Sequence, residues 1–259
     1  EEHNIEGYKI SVLNDGSLQV KAQDSYLPFT LGKVSYELFG SNTYEKWKEE
    51  YMVHFEKHRA WGMPDFLKPG IENAGVPKET QIFYSKLEKC SLKENELIIK
   101  SIFSDYECEE YGCPRNVLIK YVFKSGEIDI TVFFSQKGAS RLPEALWVSH
   151  FVDNSPISEV KYNKLGETIN PFEIAECGNR NYHVVKDVHF RLGERHINIT
   201  PLDSKLISLG EKRLYSFNQQ YADPSGGMHF NIYNNLWGTN FKMWYDEDII
   251  SRFKILSKI

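Results

Sequence analysis

The stretch that decides the fold is Val117-Leu-Ile-Lys-Tyr-Val-Phe-Lys-Ser-Gly-Glu-Ile-Asp-Ile-Thr-Val-Phe-Phe134. In its first arm, 117–123, every second residue is apolar, which places these side chains on one face of a β-strand. The second arm, 128–134, repeats the alternation, and Ser-Gly between the arms is typical of a hairpin turn. The stretch therefore predicts two antiparallel strands with one buried face.

The same period-two pattern recurs along the whole chain. Asn14-Asp15-Gly16 separates strands predicted at 8–12 and 18–22 and is a strong hairpin signal. Further strands are predicted at 97–103, 145–152, 196–200, 206–209, 214–218, 229–233, 241–245 and 252–256. So many short strands, separated by Gly, Pro, Asn and Asp, indicate a large antiparallel sandwich. Since we find no internal repeat and no linker, we expect a single domain over residues 1–259.

One segment departs from the strand pattern. From Thr43 to Trp61 the chain reads as an amphipathic helix, with an aromatic stripe at steps of three and four formed by Tyr44, Trp47, Tyr51, Phe55 and His58. A long irregular loop rich in Pro and Gly follows, at 61–77. Loops of this length are often functional, and a structural wrap over a sheet edge is an equal alternative.

The composition argues against nucleic-acid and membrane partners, and it does not decide the cellular compartment. The 259 residues carry a net charge of -5, and no basic run is interleaved with aromatic residues, so we expect no nucleic-acid partner. No apolar stretch approaches the roughly 18–20 residues of a membrane-spanning helix, so we expect no membrane partner. The N-terminus has neither an initiator Met nor an apolar signal core, which reads as a processed chain or a piece of a longer one. The cytoplasm is favoured slightly over secretion.

Two short motifs could hold a metal, but neither predicts a metal site. Cys108 and Cys113 form an isolated C-x4-C pair, for which a small disulfide loop and a reduced pair are both open. His54 and His58 could share a helix face. However, Glu56 would lie about 200° around the helix from His54, whereas a zinc-protease motif places Glu directly after the first His. A third ligand is also unassigned.

A dense polar cluster, Asn179-Arg180-Asn181-Tyr182-His183, contains the residue types found in a polysaccharide lyase active site. Asn and Arg could neutralise a uronate carboxylate, and Tyr or His could act as base and acid. Alternate side chains of a strand point to opposite faces, so Asn181 and His183 could share one face with Tyr182 opposite. A polar strand end with His183 hydrogen-bonded is the favoured interpretation.

The segment Gly226–Tyr245 concentrates two Trp, two Tyr, two Phe and four Asn in 20 residues. Aromatic faces and amide groups suit a neutral sugar, and they equally suit a sheet core with Asn-rich turns. Phe230, Ile232 and Phe241 are expected in the core.

Three ordered stretches resemble the C-terminal β-domain of family 38 glycoside hydrolases, the α-mannosidase type, and most closely bacterial relatives of unassigned substrate. The first is Leu142-Pro-Glu-Ala-Leu-Trp-Val-Ser-His-Phe151. The second is His183-Val-Val-Lys-Asp-Val-His189 followed by Leu202-Asp-Ser-Lys-Leu-Ile-Ser-Leu-Gly210. The third is Asn234-Asn-Leu-Trp-Gly-Thr-Asn240, which is similar to an Asn-Asn-x-Trp-x-Thr-Asn turn of that family.

This resemblance implies an all-β, galactose-mutarotase-like antiparallel β-supersandwich with one short helix near 43–61. It also implies an N-terminal catalytic barrel of the same polypeptide, which would hold a zinc ion and the nucleophile. The sequence has no match to the barrel's metal motif, so we expect no cofactor and no hydrolytic centre in this chain. The chain would be a fragment of a longer glycosidase, inactive alone, that packs on the barrel and contributes to carbohydrate binding.

The residues expected to contact sugar or barrel are aromatic, amide or acidic: Trp61, Asp65, His229, Tyr233, Asn235, Trp237 and Asn240. For each, core packing or turn formation is the alternative. Two other functions stay open on the same fold. One is a free-standing polysaccharide lyase or aldose epimerase, and the other is a carbohydrate-binding module. The accessory-domain interpretation further predicts an apolar surface where the barrel docks.

Overall fold

Antiparallel pairing dominates the structure, which is a computed structural model describing residues 2–22, 28–51, 54, 57, 75–216, 219–236 and 244–258. Its largest sheet has nine strands in the order β13-β12-β15-β16-β19-β10-β9-β8-β7. Their bounds are β7 Lys86–Lys93, β8 Glu96–Ile102, β9 Pro114–Lys124, β10 Glu127–Lys137, β12 Ile157–Lys164, β13 Glu167–Ile169, β15 Asp187–Leu192, β16 Arg195–Pro201 and β19 Ile249–Lys258.

A six-stranded sheet lies against the nine-stranded sheet, with the order β14-β17-β18-β11-β5-β6. Its strands are β5 Lys33–Leu38, β6 Gln81–Tyr84, β11 Glu144–His150, β14 His183–Val184, β17 Leu206–Leu209 and β18 Met228–Asn235. A four-stranded sheet, β1-β2-β3-β4, is formed by Glu2–Ile5, Tyr8–Val12, Leu18–Ala22 and Phe29–Leu31. Thr30 of β4 bridges to Val152, just beyond β11, and so links the small sheet to the six-stranded one.

The structure has α-helices at Ser41–Tyr51, called α1, and at Asp105–Tyr111, called α2, and a 3-10 helix at Pro224–Gly226. Ser104 caps α2 through a reciprocal pair of bonds with Glu107, in which each side chain accepts from the other residue's backbone N–H. Gly112 ends the helix in the left-handed conformation, φ 80°, which glycine adopts without strain.

The main core fills the space between the sheets. Alternate residues of β9 and β10, the two arms of the hairpin predicted at 117–134, are buried there, including Val117, Ile119, Ile130 and Phe134. The facing sheet contributes residues such as Leu146 and Phe230. A satellite cluster lies apart from this core, formed by Phe39, Tyr44, Trp47, Ala145, Trp147, Leu214, Tyr215 and Leu236.

The all-β fold class predicted from the sequence is confirmed, and the strand predictions are mostly right. The strands at 8–12, 18–22 and 206–209 have the predicted bounds. The strand predicted at 214–218 is wrong where it is described, because Leu214 and Tyr215 form a turn over the satellite cluster. Trp244 and Tyr245 are likewise not in a strand.

The predicted helix at 43–61 begins two residues earlier, at Ser41, and its later part falls largely outside the described residues. Tyr44 and Trp47 of the aromatic stripe are buried as expected. The second helix was not predicted. Phe230 is buried and Ile232 packs against the core, while Phe241 lies outside the described residues. All four cysteines are unpaired.

Candidate functional site

The surface of the six-stranded sheet that faces away from the main core, called here the outer face, is part apolar, where Ala145 and Trp147 join the satellite cluster, and part polar. In β5 the apolar residues Val34, Tyr36 and Leu38 point into the core. Strand geometry sends the intervening Lys33, Ser35 and Glu37 to the opposite side.

Neighbouring strands continue this polar surface in register. Ser35 lies opposite Trp147 of β11 and Tyr84 of β6. At the next position of β11 on the same face, two residues after Trp147, Ser149 lies opposite His229 of β18. Side chains directly opposite each other on one face are within contact distance. The outer face therefore brings together residues far apart in sequence.

Glu37 and Lys212 are the ionisable groups at the centre of the outer face. The Glu37 carboxylate accepts a hydrogen bond of 2.8 Å from the indole N–H of Trp147, and the Lys212 ammonium donates one of 2.7 Å to Ser35. Burial raises the pKa of Glu37 to about 7, against the opposing effects of Lys212 and Trp147. Burial also lowers the pKa of Lys212 to about 8. Both groups thus titrate near neutrality, as functional carboxyl and amino groups often do.

Substituting Glu37→Gln is expected to remove a decline of stability with rising pH. Because the pKa of Glu37 is raised to about 7 from 4.5, the folded protein holds this proton more tightly than the unfolded chain. The stability that this tighter proton binding contributes is therefore fully present near pH 4.5 and is lost progressively up to pH 7. At pH 8 the variant should be more stable than the parent by up to about 3 kcal/mol, with little difference at pH 4.5. Urea unfolding at both pH values measures this.

A matched control for that experiment is Glu167→Gln, on the exposed short strand β13. It removes the same charge without relieving burial and should leave the pH profile unchanged. An E37Q profile parallel to that of the parent protein would show that Glu37 does not titrate abnormally.

His229, a predicted sugar-binding residue, is buried and uses both ring nitrogens within the protein. Its Nδ1 lies 2.8 Å from the Ser149 hydroxyl and its Nε2 lies 3.3 Å from the carbonyl oxygen of Gly210. Because a carbonyl only accepts, Nε2 carries the proton and Nδ1 accepts from Ser149. Burial lowers the pKa of His229 to about 4. The imidazole is therefore neutral at pH 7 and fixed in one tautomer.

Tyr84 is the exposed aromatic residue of the outer face. The residue is 42% exposed, and the ammonium groups of two lysines lie over its ring. The Nζ atoms of Lys33 and Lys212 lie 5.3 Å and 5.7 Å from the ring centroid. A flat ring beside hydrogen-bond donors offers a stacking surface for a ligand with an apolar face and hydroxyl groups. Tyr84, Lys33 and Lys212 were not predicted from the sequence, although the alternation in Lys33-Val-Ser-Tyr-Glu-Leu38 indicates a strand with one polar face.

Two other predicted sugar-binding residues serve internal contacts. The Asn235 amide donates to the carbonyl oxygens of Ser140 and Leu142, at 3.2 Å and 3.4 Å, and so fixes the connection before β11. Tyr233 packs against the main core and bonds the Glu144 carboxyl group, and burial, together with Glu144, raises the pKa of the Tyr233 hydroxyl. Trp61, Asp65, Trp237 and Asn240 lie outside the described residues, so their role stays a prediction.

Only some of the side chains at 179–183 line the same cavity. Asn179, Tyr182 and His183 line one cavity of about 460 Å³ together with Lys164. Arg180 instead donates to the carbonyl oxygens of Gln219 and Ile174, at 2.5 Å and 3.3 Å.

The remaining polar members of this cluster fix local structure. Asn179 accepts from the backbone N–H groups of residues 181 and 182, and the Asn181 amide donates to the carbonyl oxygen of Ser216. Burial lowers the pKa of His183 to about 4, so it is neutral at pH 7. Some of the five residues thus line a cavity, and the others hold loops in place through hydrogen bonds. The lyase alternative stays a prediction.

Within the described ranges, no three His, Cys, Asp or Glu side chains are grouped so as to hold a metal ion. His54 is an exposed turn residue, and His58 is outside those ranges. No helix in the described part of the chain is long and apolar enough to cross a membrane.

The fold is shared with a domain of family 38 glycoside hydrolases. The chain is similar over 99% of its length to an α-mannosidase from Enterococcus faecalis V583, with a TM-score of 0.59 and 10% identity. A second glycosyl hydrolase family 38 protein from Enterococcus faecalis gives a TM-score of 0.55 and 9% identity, again over 99% of this chain. The chain spans 29% and 30% of those two proteins. A putative aldose 1-epimerase from Escherichia coli K12 gives a TM-score of 0.48 and 7% identity, covering 99% of this chain and 98% of that one.

Residues 1–131 match the family described as Domain of unknown function (DUF5054), and the chain belongs to that family. No curated protein matches the sequence.

Proposed function

We propose that this chain is a non-catalytic β-domain of a family-38-like glycoside hydrolase that contributes to carbohydrate binding beside a catalytic barrel of the same polypeptide. The observation that carries the proposal is the outer face, where the ammonium groups of Lys33 and Lys212 lie over the partly exposed Tyr84 ring. An aromatic ring with cationic hydrogen-bond donors close to it suits a sugar, since the exposed part of the ring can pack on the apolar sugar face while the donors bond hydroxyls.

The internal bonding of the nearby acid and base groups supports a binding role over a catalytic one. Glu37 is bonded to Trp147, and His229 is held between Ser149 and the Gly210 carbonyl. Glycoside hydrolysis by the usual route needs two carboxyl groups on opposite sides of a bound sugar. Glu37 is bonded to the indole, and two further carboxylates near Tyr84, those of Asp15 and Asp153, lie 3.8 Å and 3.7 Å from Lys33 Nζ.

An exposed apolar row supports a docking surface for another domain. Leu118, Phe133 and Ile250 lie side by side across β9, β10 and β19, on the surface of the nine-stranded sheet that faces away from the core. Leu118 and Ile250 are 38% and 55% exposed. Contiguous exposed apolar side chains are typical of protein contact surfaces.

Substituting Tyr84→Ala is expected to weaken binding of a mannose oligosaccharide about 3–10-fold, the value of one aromatic stacking contact. Isothermal titration calorimetry on the full chain measures the affinity. Tyr106→Ala is the matched control, because Tyr106 is an exposed tyrosine on α2, 65% accessible, and should leave binding unchanged.

Two results would contradict the proposal. Equal binding by the two variants would remove the outer face as the sugar site. Release of product from an aryl α-mannoside by the chain alone would show that it is catalytic.

A further inference from the structure

A groove crosses the nine-stranded sheet on its surface away from the core, remote in the fold from the six-stranded sheet. It has a volume of about 380 Å³ and runs over β12, β15, β16 and β19. Two cross-strand rows form its floor. In one row Lys161, His189 and Asn198 are successive partners, and in the other Arg191, His196 and Lys258 are.

The charges of this groove are mainly positive. Glu159 is the acidic residue that lines it, and its carboxylate is bound to Arg191 at 2.8 Å. Lys161 and Lys258 are exposed, and neither makes an ion pair or side-chain hydrogen bond with the described residues. Two ammonium groups at opposite ends of the groove are therefore available to a ligand.

The floor between them is held in place by polar contacts with one buried carboxylate. Asp187 is buried beside the groove on the same face of β15 as His189, and its carboxylate contacts the His189 ring at 2.7 Å and accepts from the Asn163 amide at 2.7 Å. The Asn198 amide lies 3.1 Å from His189. A site whose side chains are fixed before binding loses less entropy when a ligand arrives.

A β-bulge shapes the rim. The pairing of β12 with β15 shifts between Ser158 and Lys161, and Glu159 adopts a positive φ of 51°. Bulges of this kind re-aim side chains. Here the bulge accompanies the Glu159–Arg191 pair, beside which Lys161 is left unpaired.

We propose that this groove binds an acidic saccharide through oxyanion groups on separate sugar units, with Lys161 and Lys258 as the anchoring cations. The strands that carry these lysines are three strand spacings apart, about 14 Å at the backbone, so an extended ligand with two anionic groups fits better than a single small ion. Charge-assisted hydrogen bonds from ammonium groups to carboxylate or sulfate are among the stronger polar contacts in proteins. The saccharide class of this ligand rests on the proposed function, whereas the groove over β12, β15, β16 and β19 lies apart from Tyr84.

The test compares two double variants of the full chain by calorimetry with a tetramer of galacturonate. Lys161→Gln with Lys258→Gln removes both anchors. Lys89→Gln with Lys93→Gln makes the same charge change on β7, at the far edge of the same sheet. We expect the groove variant to bind at least about 10-fold more weakly, the β7 variant to bind like the parent, and 1 M salt to weaken the parent's binding. Equal melting temperatures of the two variants establish that folding is preserved.

Four outcomes would overturn the proposal. The first is unchanged binding in the groove variant, and the second is an equal loss in both variants. The third is inorganic sulfate binding as tightly as the tetramer, which would assign the groove to a free oxyanion. A neutral tetrasaccharide is expected to bind at least about 10-fold more weakly than the galacturonate tetramer, and equal binding of the two would also refute it.

Discussion

Replacing Lys137 with Met is expected to lower the free energy of unfolding by about 3–5 kcal/mol, the cost of leaving one member of a buried ion pair alone. The Lys137 ammonium lies 3.0 Å from Glu144 Oε1, and neither side chain is exposed. It also donates to the carbonyl oxygens of Gly138 and Gly112, at 3.0 Å and 3.2 Å. Urea unfolding at pH 7 measures the loss.

The pH dependence of this variant identifies the cause. Burial raises the pKa of Glu144 and lowers that of Lys137 to about 8, so each charge is costly unless the other compensates it. Without Lys137 the carboxyl group should stay protonated in the folded state. Since a raised carboxyl pKa favours the folded state at low pH, the loss should shrink near pH 4.5 and grow as the pH rises.

Two comparisons make this prediction specific. Lys124→Met breaks contacts of 2.8 Å and 2.6 Å to Glu127 and Asp129, but these are exposed, so it should cost less than about 1 kcal/mol. Adding Glu144→Gln to Lys137→Met removes both buried charges and should recover part of the stability. A loss that is independent of pH and unaffected by Glu144→Gln would mean that Lys137 acts through packing alone.

The elements that were predictable from sequence are those specified by neighbouring residues. The hairpin of 8–12 and 18–22 has its predicted bounds because alternation fixes the buried face and Asn-Asp-Gly fixes the turn. Helix α2 was missed although Ser104 and Glu107 carry a capping-box signature, because seven residues are too few to show helical periodicity. Leu214 and Tyr215 were predicted as strand because apolar residues alone do not distinguish a sheet from a buried turn over a satellite cluster.

The candidate site was far less predictable, because its residues meet only through strand register. Glu37 and Trp147 are separated by 110 positions and Ser35 and Lys212 by 177, and no local pattern pairs them. His229, one of the predicted sugar-binding residues, lies on the outer face beside Ser149, and its binding role stays a prediction. Its chemistry could not be read from the sequence, because its proton is located by the backbone carbonyl of Gly210.

Substituting Gly210→Ala is expected to destabilise the protein by about 3–5 kcal/mol and to disturb His229. Gly210 follows β17 with φ +74°, and a Cβ there would lie 2.2 Å from the carbonyl oxygen of Asp223. Backbone rather than a flexible side chain blocks the methyl group, so the connection between β17 and β18 must move. That connection also places the Gly210 carbonyl that accepts from His229 Nε2. The free energy of unfolding measures the first effect, and the ¹⁵N NMR shifts of the His229 ring measure the second.

Gly7→Ala separates the steric clash from the cost of a positive φ. Gly7 has φ +84° with no atom within 4 Å of an added Cβ, so alanine there should cost only about 1–2 kcal/mol, the penalty of the left-handed conformation. The excess loss at Gly210 then measures the close approach of the two backbone segments. If the two variants lose equal stability and His229 keeps its tautomer, the segment adapts freely, and the outer face does not depend on the β17–β18 connection. If the loss at Gly210 is larger and the His229 shifts change, the same glycine that closes the fold also sets the protonation of the candidate site.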